Sequence, residues 1–293
     1  MKAIGKKQGQ LNETDFYIQL IERNGTFVRQ DVQEKLKSSC ILVAGCGSTG
    51  GASIEPLVRL GATKFILADN GAYELNNLNR QSAFLTDLNR NKAEVMKDRI
   101  LSINPYCEVR VYREGITEEN VSLCVQDADI VIDGVDVTER AGWQAKWLLH
   151  EYAATYKRSV ITGWDIGPTQ YVQYFNYQNR TDPFYSKINK MDISELDIFK
   201  ILYKVLPIQA ISLEMLEDLE RNWKKEEYHV PQIVYTSMLF GAISSRLVID
   251  ILAGKKLTEH AAIDLQSLFL SKGNKFKLSL KKYKKVLSLV KEL

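Results

Sequence analysis

Cysteine and histidine are scarce in this chain, four and three among 293 residues. No two of Cys40, Cys46, Cys107 and Cys124 form a Cys-x-x-Cys pair, which argues against a four-thiolate zinc site. No run of about 18 apolar residues occurs. The opening Met-Lys-Ala-Ile-Gly-Lys-Lys-Gln has no apolar stretch of the kind a secretory signal carries. The expectation is a protein of a reducing cytoplasm that does not span a membrane. Internal repeats and low-complexity linkers are also missing, so one compact domain is the simplest organisation. A large excess of one charge is absent too. The net charge of +3 argues neither for nor against nucleic acid. The imbalance that exists is local: from Lys272 onward there are eight lysines and one acid, Glu292. This tail reads as a solvated lysine-rich edge strand and helix, with contact to phosphate or an acidic partner as the alternative.

What is present is an ordinary globular composition, 45% apolar and 26% charged, on a chain long enough for a sizeable core. We divide it into an N-terminal arm (1–30), a main domain (31–270) with a crossover insert (179–228), and a basic C-terminal tail (271–293). Residues 39–44, 64–68, 108–112, 129–133 and 159–162 read as strands. Helices fall between them at 52–60, 91–103, 118–125 and 137–156. Short alternating strands and helices imply an α/β fold, a Rossmann-like and mostly parallel sheet with helices on both faces. Residues 169–177 alternate polar and aromatic side chains and should continue it as an antiparallel strand. Residues 231–252 are apolar on nearly all sides and should form a buried helix stopped by Gly254. Residues 261–270 and 275–280 look like closing strands.

Ligands of such sheets bind at the carboxyl ends of the strands. Gly45-Cys-Gly47-Ser-Thr-Gly50 follows the first strand and opens a helix. Its glycines allow a tight turn and close approach of phosphate to backbone N–H groups. Asp69 ends the next strand, where its carboxylate can take hydrogen bonds from ribose hydroxyls. Arg80 and Lys92 are cations suited to a triphosphate, and Asn77 and Gln81 can hold oxygens without adding charge. Asp133 and Asp136 lie at and just past a strand end, and Asp133 is expected among the cofactor-binding residues. A carboxylate at Asp136 could hold magnesium together with substrate phosphates. A rival reading makes Asp136-Val-Thr-Glu139 a capping box for the following helix.

The order glycine turn, Asp69, Asn77-Leu-Asn-Arg80-Gln81, Lys92, Asp133-x-x-Asp136 resembles the ThiF/MoeB/HesA superfamily, bacterial relatives of ubiquitin-activating enzymes. Arg99-Ile-x-x-Ile-Asn-Pro105 and 231–254 extend the resemblance over roughly residues 27 to 255. The resemblance implies ATP and Mg2+ as cofactors and an adenylyltransferase activity, in which ATP and a carboxylate give an acyl-adenylate and pyrophosphate. It implies that Asp69 holds the ribose, that Asn77, Arg80, Gln81 and Lys92 hold the phosphates and adenylate, and that Asp136 binds magnesium. It also implies a homodimer in which Arg29 reaches the partner's site. The chain departs from the family pattern in three ways: Gly71 replaces a second aspartate, the zinc cysteines are missing, and no cysteine follows Cys124. We therefore expect no zinc and no transfer to an enzyme thiol. The expected substrate is a ribosomal precursor peptide or small protein. Its activated carboxylate would go on to cyclisation, dehydration or amide formation. A tRNA threonylcarbamoyladenosine dehydratase-like enzyme and a non-catalytic nucleotide-binding module are the alternatives.

Overall fold

Runs of aliphatic residues without polar interruption become the centre of a sheet, because only a strand covered on both faces can bury every side chain it carries. Ile41–Ala44 of β1 (Cys40–Ala44), Phe65–Ala68 of β2 (Lys64–Ala68) and all of β4 (Ile130–Asp133) are buried. The computed structural model describes residues 11–222, 225 and 228–290. Within them the sheet has seven strands in the order β3-β2-β1-β4-β5-β6-β7, with β3 at Glu108–Tyr112, β5 at Ser159–Ile166, β6 at Thr169–Asn176 and β7 at His260–Asp264. The first five are parallel, and β6 and β7 join antiparallel.

The helices precede, cover and follow this sheet. They are α1 (Glu13–Ile21), α2 (Gln30–Ser38), α3 (Ser48–Leu60), α4 (Lys92–Ile103), α5 (Val121–Gln126) and α6 (Arg140–Thr155), then α7 (Lys190–Glu195), α8 (Ile198–Val205) and α9 (Leu213–Asn222) in the insert, and finally α10 (Val234–Leu252), α11 (Leu265–Leu268) and α12 (Lys272–Val290). One face packs on α2, α3, α4 and α10; the other packs on α5, α6 and the insert. By length and composition α10 could cross a membrane. Here it lies against α3, β5 and β6 with Phe240, Val248 and Ile249 buried.

Four expectations are corrected. The run 275–280 is not a strand but part of α12, which continues for 19 residues. Over those few positions lysine and apolar residues alternate, and only the longer window reveals the helical period. The strand expected at 261–270 stops at Asp264, whose Oδ1 accepts from the N–H groups of Gln266 (3.0 Å) and Ser267 (3.4 Å) and so starts α11. Strand β5 runs on to Ile166 because β6 pairs with its whole length across the Gly167-Pro168 turn. The capping box at Asp136 does not form. Helix α6 begins at Arg140, and Asp136 Oδ1 instead accepts from Thr138 N–H at 2.9 Å.

Candidate active site

The glycine turn lies between the end of β1 and the start of α3. Gly45 has φ +80°, and a Cβ there would stand 2.3 Å from the Gly134 carbonyl oxygen. A Cβ on Gly50 would stand 1.8 Å from the Gly45 oxygen. These two glycines thus serve the packing of the turn against the loop after β4. Gly47 differs. A Cβ there would meet only the Gln81 side-chain amide, at 3.8 Å. Gly47 is also the N-cap of α3 and offers no side chain to cap the helix. The start of α3 therefore presents backbone N–H groups and the positive end of its dipole beside Gln81, an arrangement that attracts anions.

Asp69 follows β2 directly. Its Oδ2 accepts from Cys46 N–H at 2.6 Å and its Oδ1 from Gly71 N–H at 2.7 Å. Both oxygens are fixed, and each keeps a lone pair for a further donor. Burial pushes this carboxyl above the usual range, opposed chiefly by the Lys92 charge, while Asp136 pushes it further up. Lys92, the first residue of α4, places its Nζ near Asp69 and 5.9 Å from the Tyr73 ring centroid. Gly71, where the family pattern has a second aspartate, gives Asp69 a backbone donor instead.

Arg80 sits at the end of a 3-10 turn, Leu75–Asn79. Asn77 builds that turn. Its Oδ1 accepts from Glu74 N–H at 3.2 Å and its Nδ2 donates to Asn76 Oδ1 at 2.7 Å, so its side chain already has partners within its own loop. The Arg80 guanidinium donates to Gln232 Oε1, to Asn79 Oδ1 (2.8 Å) and to the Asn76 carbonyl (3.1 Å). Burial lowers its pKa, opposed by the charges of Asp136 and Asp165. Asp165, on the extension of β5, was not anticipated. Its Oδ2 accepts from Ser48 Oγ at 2.8 Å and from Ser237 Oγ at 3.0 Å, and the two hydroxyls touch each other. Burial pushes the Asp165 carboxyl up, against those two hydrogen bonds and the Arg80 charge. Two buried acceptors here have no protein partner, Asp165 Oδ1 and Gln81 Oε1. Sequence reasoning also missed Gln232, Ser48 and Ser237. The rule that found Asp69, an acid at the tip of a parallel strand, would have found Asp165 had β5 been given its true length.

Asp133 is a correction. It does not line the crevice: it is fully buried, with Lys146 Nζ at 2.6 Å, His150 Nε2 at 3.0 Å and Thr162 Oγ1 at 2.9 Å from its Oδ2. Burial alone would raise this carboxyl, but Lys146 and His150 hold it well below the carboxylate range. His150 Nδ1 lies 2.7 Å from Tyr177 Oη, which accepts from Phe184 N–H at 3.0 Å. Tyr177 therefore donates to Nδ1, and the neutral imidazole gives its Nε2 proton to Asp133. Burial lowers the His150 pKa in keeping with this. The network ties the end of β4 to the insert, where Phe184, Tyr185 and Ser186 all have positive φ.

Asp136 is exposed beside the crevice, and Arg29 is exposed at the start of α2, paired with Asp31 at 2.9 Å. Among the described residues no cluster of three or more His, Cys, Asp or Glu side chains is arranged around a metal position. The four cysteines are free thiols. Burial pushes Cys107 up to about 12 and Cys124 to about 11, and holds Cys46 well above the usual thiol range.

The ThiF family pattern matches residues 21–284. A probable molybdopterin-synthase adenylyltransferase of Gracilaria tenuistipitata var. liui is 29% identical over 175 residues, 58% of this chain and 47% of that protein. The sulfur carrier protein ThiS adenylyltransferase of Escherichia coli K12 is 34% identical over 107 residues, 36% of this chain and 43% of that protein. The chain thus spans about half the length of these curated relatives, or less. Among solved structures, the E. coli tRNA N6-threonylcarbamoyladenosine dehydratase TcdA superposes with a TM-score of 0.59 at 21% identity, covering 83% of this chain and 98% of TcdA. With its turn, its strand-end aspartate and its mixed sheet, the chain belongs to the ThiF family.

Proposed function

We propose that this protein is an ATP-dependent adenylyltransferase that activates a carboxylate of a peptide or small protein. The observation that carries the reading is the convergence of the uncapped start of α3, Arg80 and Lys92 on one crevice whose carboxylate Asp69 is pinned by two backbone N–H groups. In this reading Asp69 takes the ribose hydroxyls, and the start of α3 with Arg80 and Lys92 takes the phosphates. Gln81 Oε1 and Asp165 Oδ1 are buried acceptors without a protein partner, and in this reading ligand or ordered water supplies the donor. Asp136 would hold magnesium. Magnesium needs few protein ligands when phosphates supply the rest, so one exposed carboxylate beside the crevice fits it. Bound there, the ion would offset phosphate charge.

The chemistry is a displacement at the α-phosphorus. A carboxylate oxygen forms a bond to it, the bond to the bridging oxygen breaks, and pyrophosphate leaves. Two anions must be held in line, which calls for fixed cations and positioning rather than a general base. All four thiols are partly or wholly buried with raised pKa values, which favours direct attack on the adenylate by an amine, amide or water over thioester formation. We assign Arg29 to the partner's site in a homodimer. Phe27 is 83% exposed beside it, and exposed Leu75, Phe84, Leu85 and Met238 on the loops and helix near Arg80 offer an apolar surface for a second copy. Trp223 of the insert lies outside the described residues.

Calorimetric titration with ATP and magnesium tests the reading. Stoichiometric binding that Arg80→Ala weakens supports it, and no binding to the folded native protein ends it. Activity regained on mixing inactive Arg29→Ala and Arg80→Ala chains would place Arg29 in trans. A transfer RNA substrate is the second reading, favoured by the near-complete coverage of TcdA. Salt-dependent binding of transfer RNA is its test.

A further inference from the structure

Helix α12 has two apolar faces, and the fold uses one. Leu278 and Val286 are partly buried on the side that packs against α9, where Lys285 pairs with Glu220. On the opposite side Phe276 is 70% exposed, Leu280 45%, Tyr283 62% and Leu287 45%. At 100° per residue these four fall within an arc of about 60°. Their spacing of four, three and four is that of a coiled-coil seam, narrower than the stripe a globular core demands. Scattered exposed apolar residues need no explanation, but four aligned over three turns do.

The flanks say what fits the seam. Lys277 and Lys284 each follow a seam residue and lie along one edge, with Lys281 behind them. Across Lys272–Val290 there are seven lysines and no acid. Exposed Ser279 lies along the other edge, next to Val286 at the margin of the α9 contact. An antiparallel second copy would set lysine flank against lysine flank. RNA has no use for an aligned apolar stripe, and an in-plane membrane helix buries a broader one. We propose that the outer face of α12 docks an amphipathic α-helix of a partner protein, with an apolar seam of the same period and Glu or Asp along its flanks. The surface is remote in sequence from the crevice residues, and the proposal stands whether or not that site adenylates.

The test uses the full chain and a labelled synthetic three-heptad peptide with Leu at the seam and Glu on both flanks, against a matched peptide with Lys on the flanks. Fluorescence anisotropy should show binding of the acidic peptide alone, weakening as salt is raised. The double variant Leu280→Ser/Tyr283→Ser should lose at least about tenfold in affinity with its circular dichroism unchanged. Lys277→Glu/Lys284→Glu should reverse the preference toward the basic peptide. Three results overturn the proposal. One is equal binding of both peptides, or of neither. Another is binding indifferent to the seam substitutions. The third is seam-dependent binding to phosphatidylglycerol vesicles, to transfer RNA or to a second copy of the chain in place of the acidic peptide.

Discussion

Asp133 and Asp136 stand three residues apart, one below the floor of the crevice and one beside it, and they live by different rules. Below, Asp133 meets a lysine, a histidine and a threonine, with its Oδ1 also accepting from Val135 N–H at 3.2 Å. Above, Asp136 is exposed, Asp165 and Gln81 each hold a buried oxygen without a partner, and Arg80 donates to Gln232, Asn79 and Asn76 while feeling the charges of Asp136 and Asp165. Buried polar groups with every partner in place belong to the architecture, whereas a buried acceptor without a protein partner calls for a donor from water or a ligand. The contrast separates an aspartate whose partners are all in place from two that the proposed function assigns to a ligand.

The largest expected effect breaks the lower network. Lys146→Met removes one partner of a fully buried ion pair and should cost about 3–5 kcal/mol of stability by urea denaturation. A loss of under about 1 kcal/mol would show that Asp133 does not depend on the pair. Next, Arg80→Ala should leave the denaturation midpoint nearly unchanged while slowing ATP-dependent pyrophosphate release by about 2–4 kcal/mol in barrier, the size of other fixed electrostatic stabilisers. Equal damage to stability and turnover would erase the distinction between the two regions.

A pH series sharpens it. The folded state keeps His150 neutral, so its folded pKa lies below the unfolded value of about 6.5. The unfolded chain then binds a proton that the native chain refuses. Stability should therefore fall as pH drops below about 6.5, by up to about 2 kcal/mol at pH 5. The Asp133 contribution has the opposite origin, a depressed folded pKa. It is present above the unfolded carboxylate value of about 3.9 and is lost only in stronger acid. In His150→Asn the slope between pH 7 and 5 should flatten, and a slope equal to the native one would remove His150 from the account. The smallest effect concerns Asp165→Asn. Relieving a buried, poorly compensated carboxylate should raise stability by on the order of 1 kcal/mol while weakening ATP binding. A destabilised variant with unaltered ATP affinity would move Asp165 to the structural side.

The buried parallel strands were legible because strands covered on both faces have to be aliphatic throughout, and β2 and β3 were read to the residue. The positions of the glycine turn and of Asp69 at strand ends were legible because each directly follows a short aliphatic run. The role of Asp133 was not, since its partners lie thirteen and seventeen positions later. A signal did exist: Lys146 and His150 are one helical turn apart on the face of α6 that also carries Trp143, a polar pair on an apolar stripe. Asp165 escaped because a hairpin partner, not local propensity, sets the length of β5. The tail misled because lysine stems fit a two-residue period over six positions and a helical one over nineteen.

Gly45, Gly50 and Gly134 fit together so closely that a methyl group on any of them would run into a neighbouring backbone atom. Any relative that keeps this turn is obliged to keep these positions bare whatever its crevice binds, because the scaffold would otherwise spring apart. No backbone crowds the side chains of Arg80, Lys92 and Gln81 in this way, so under the proposed function their retention, rather than that of the glycines, is what would report on activity.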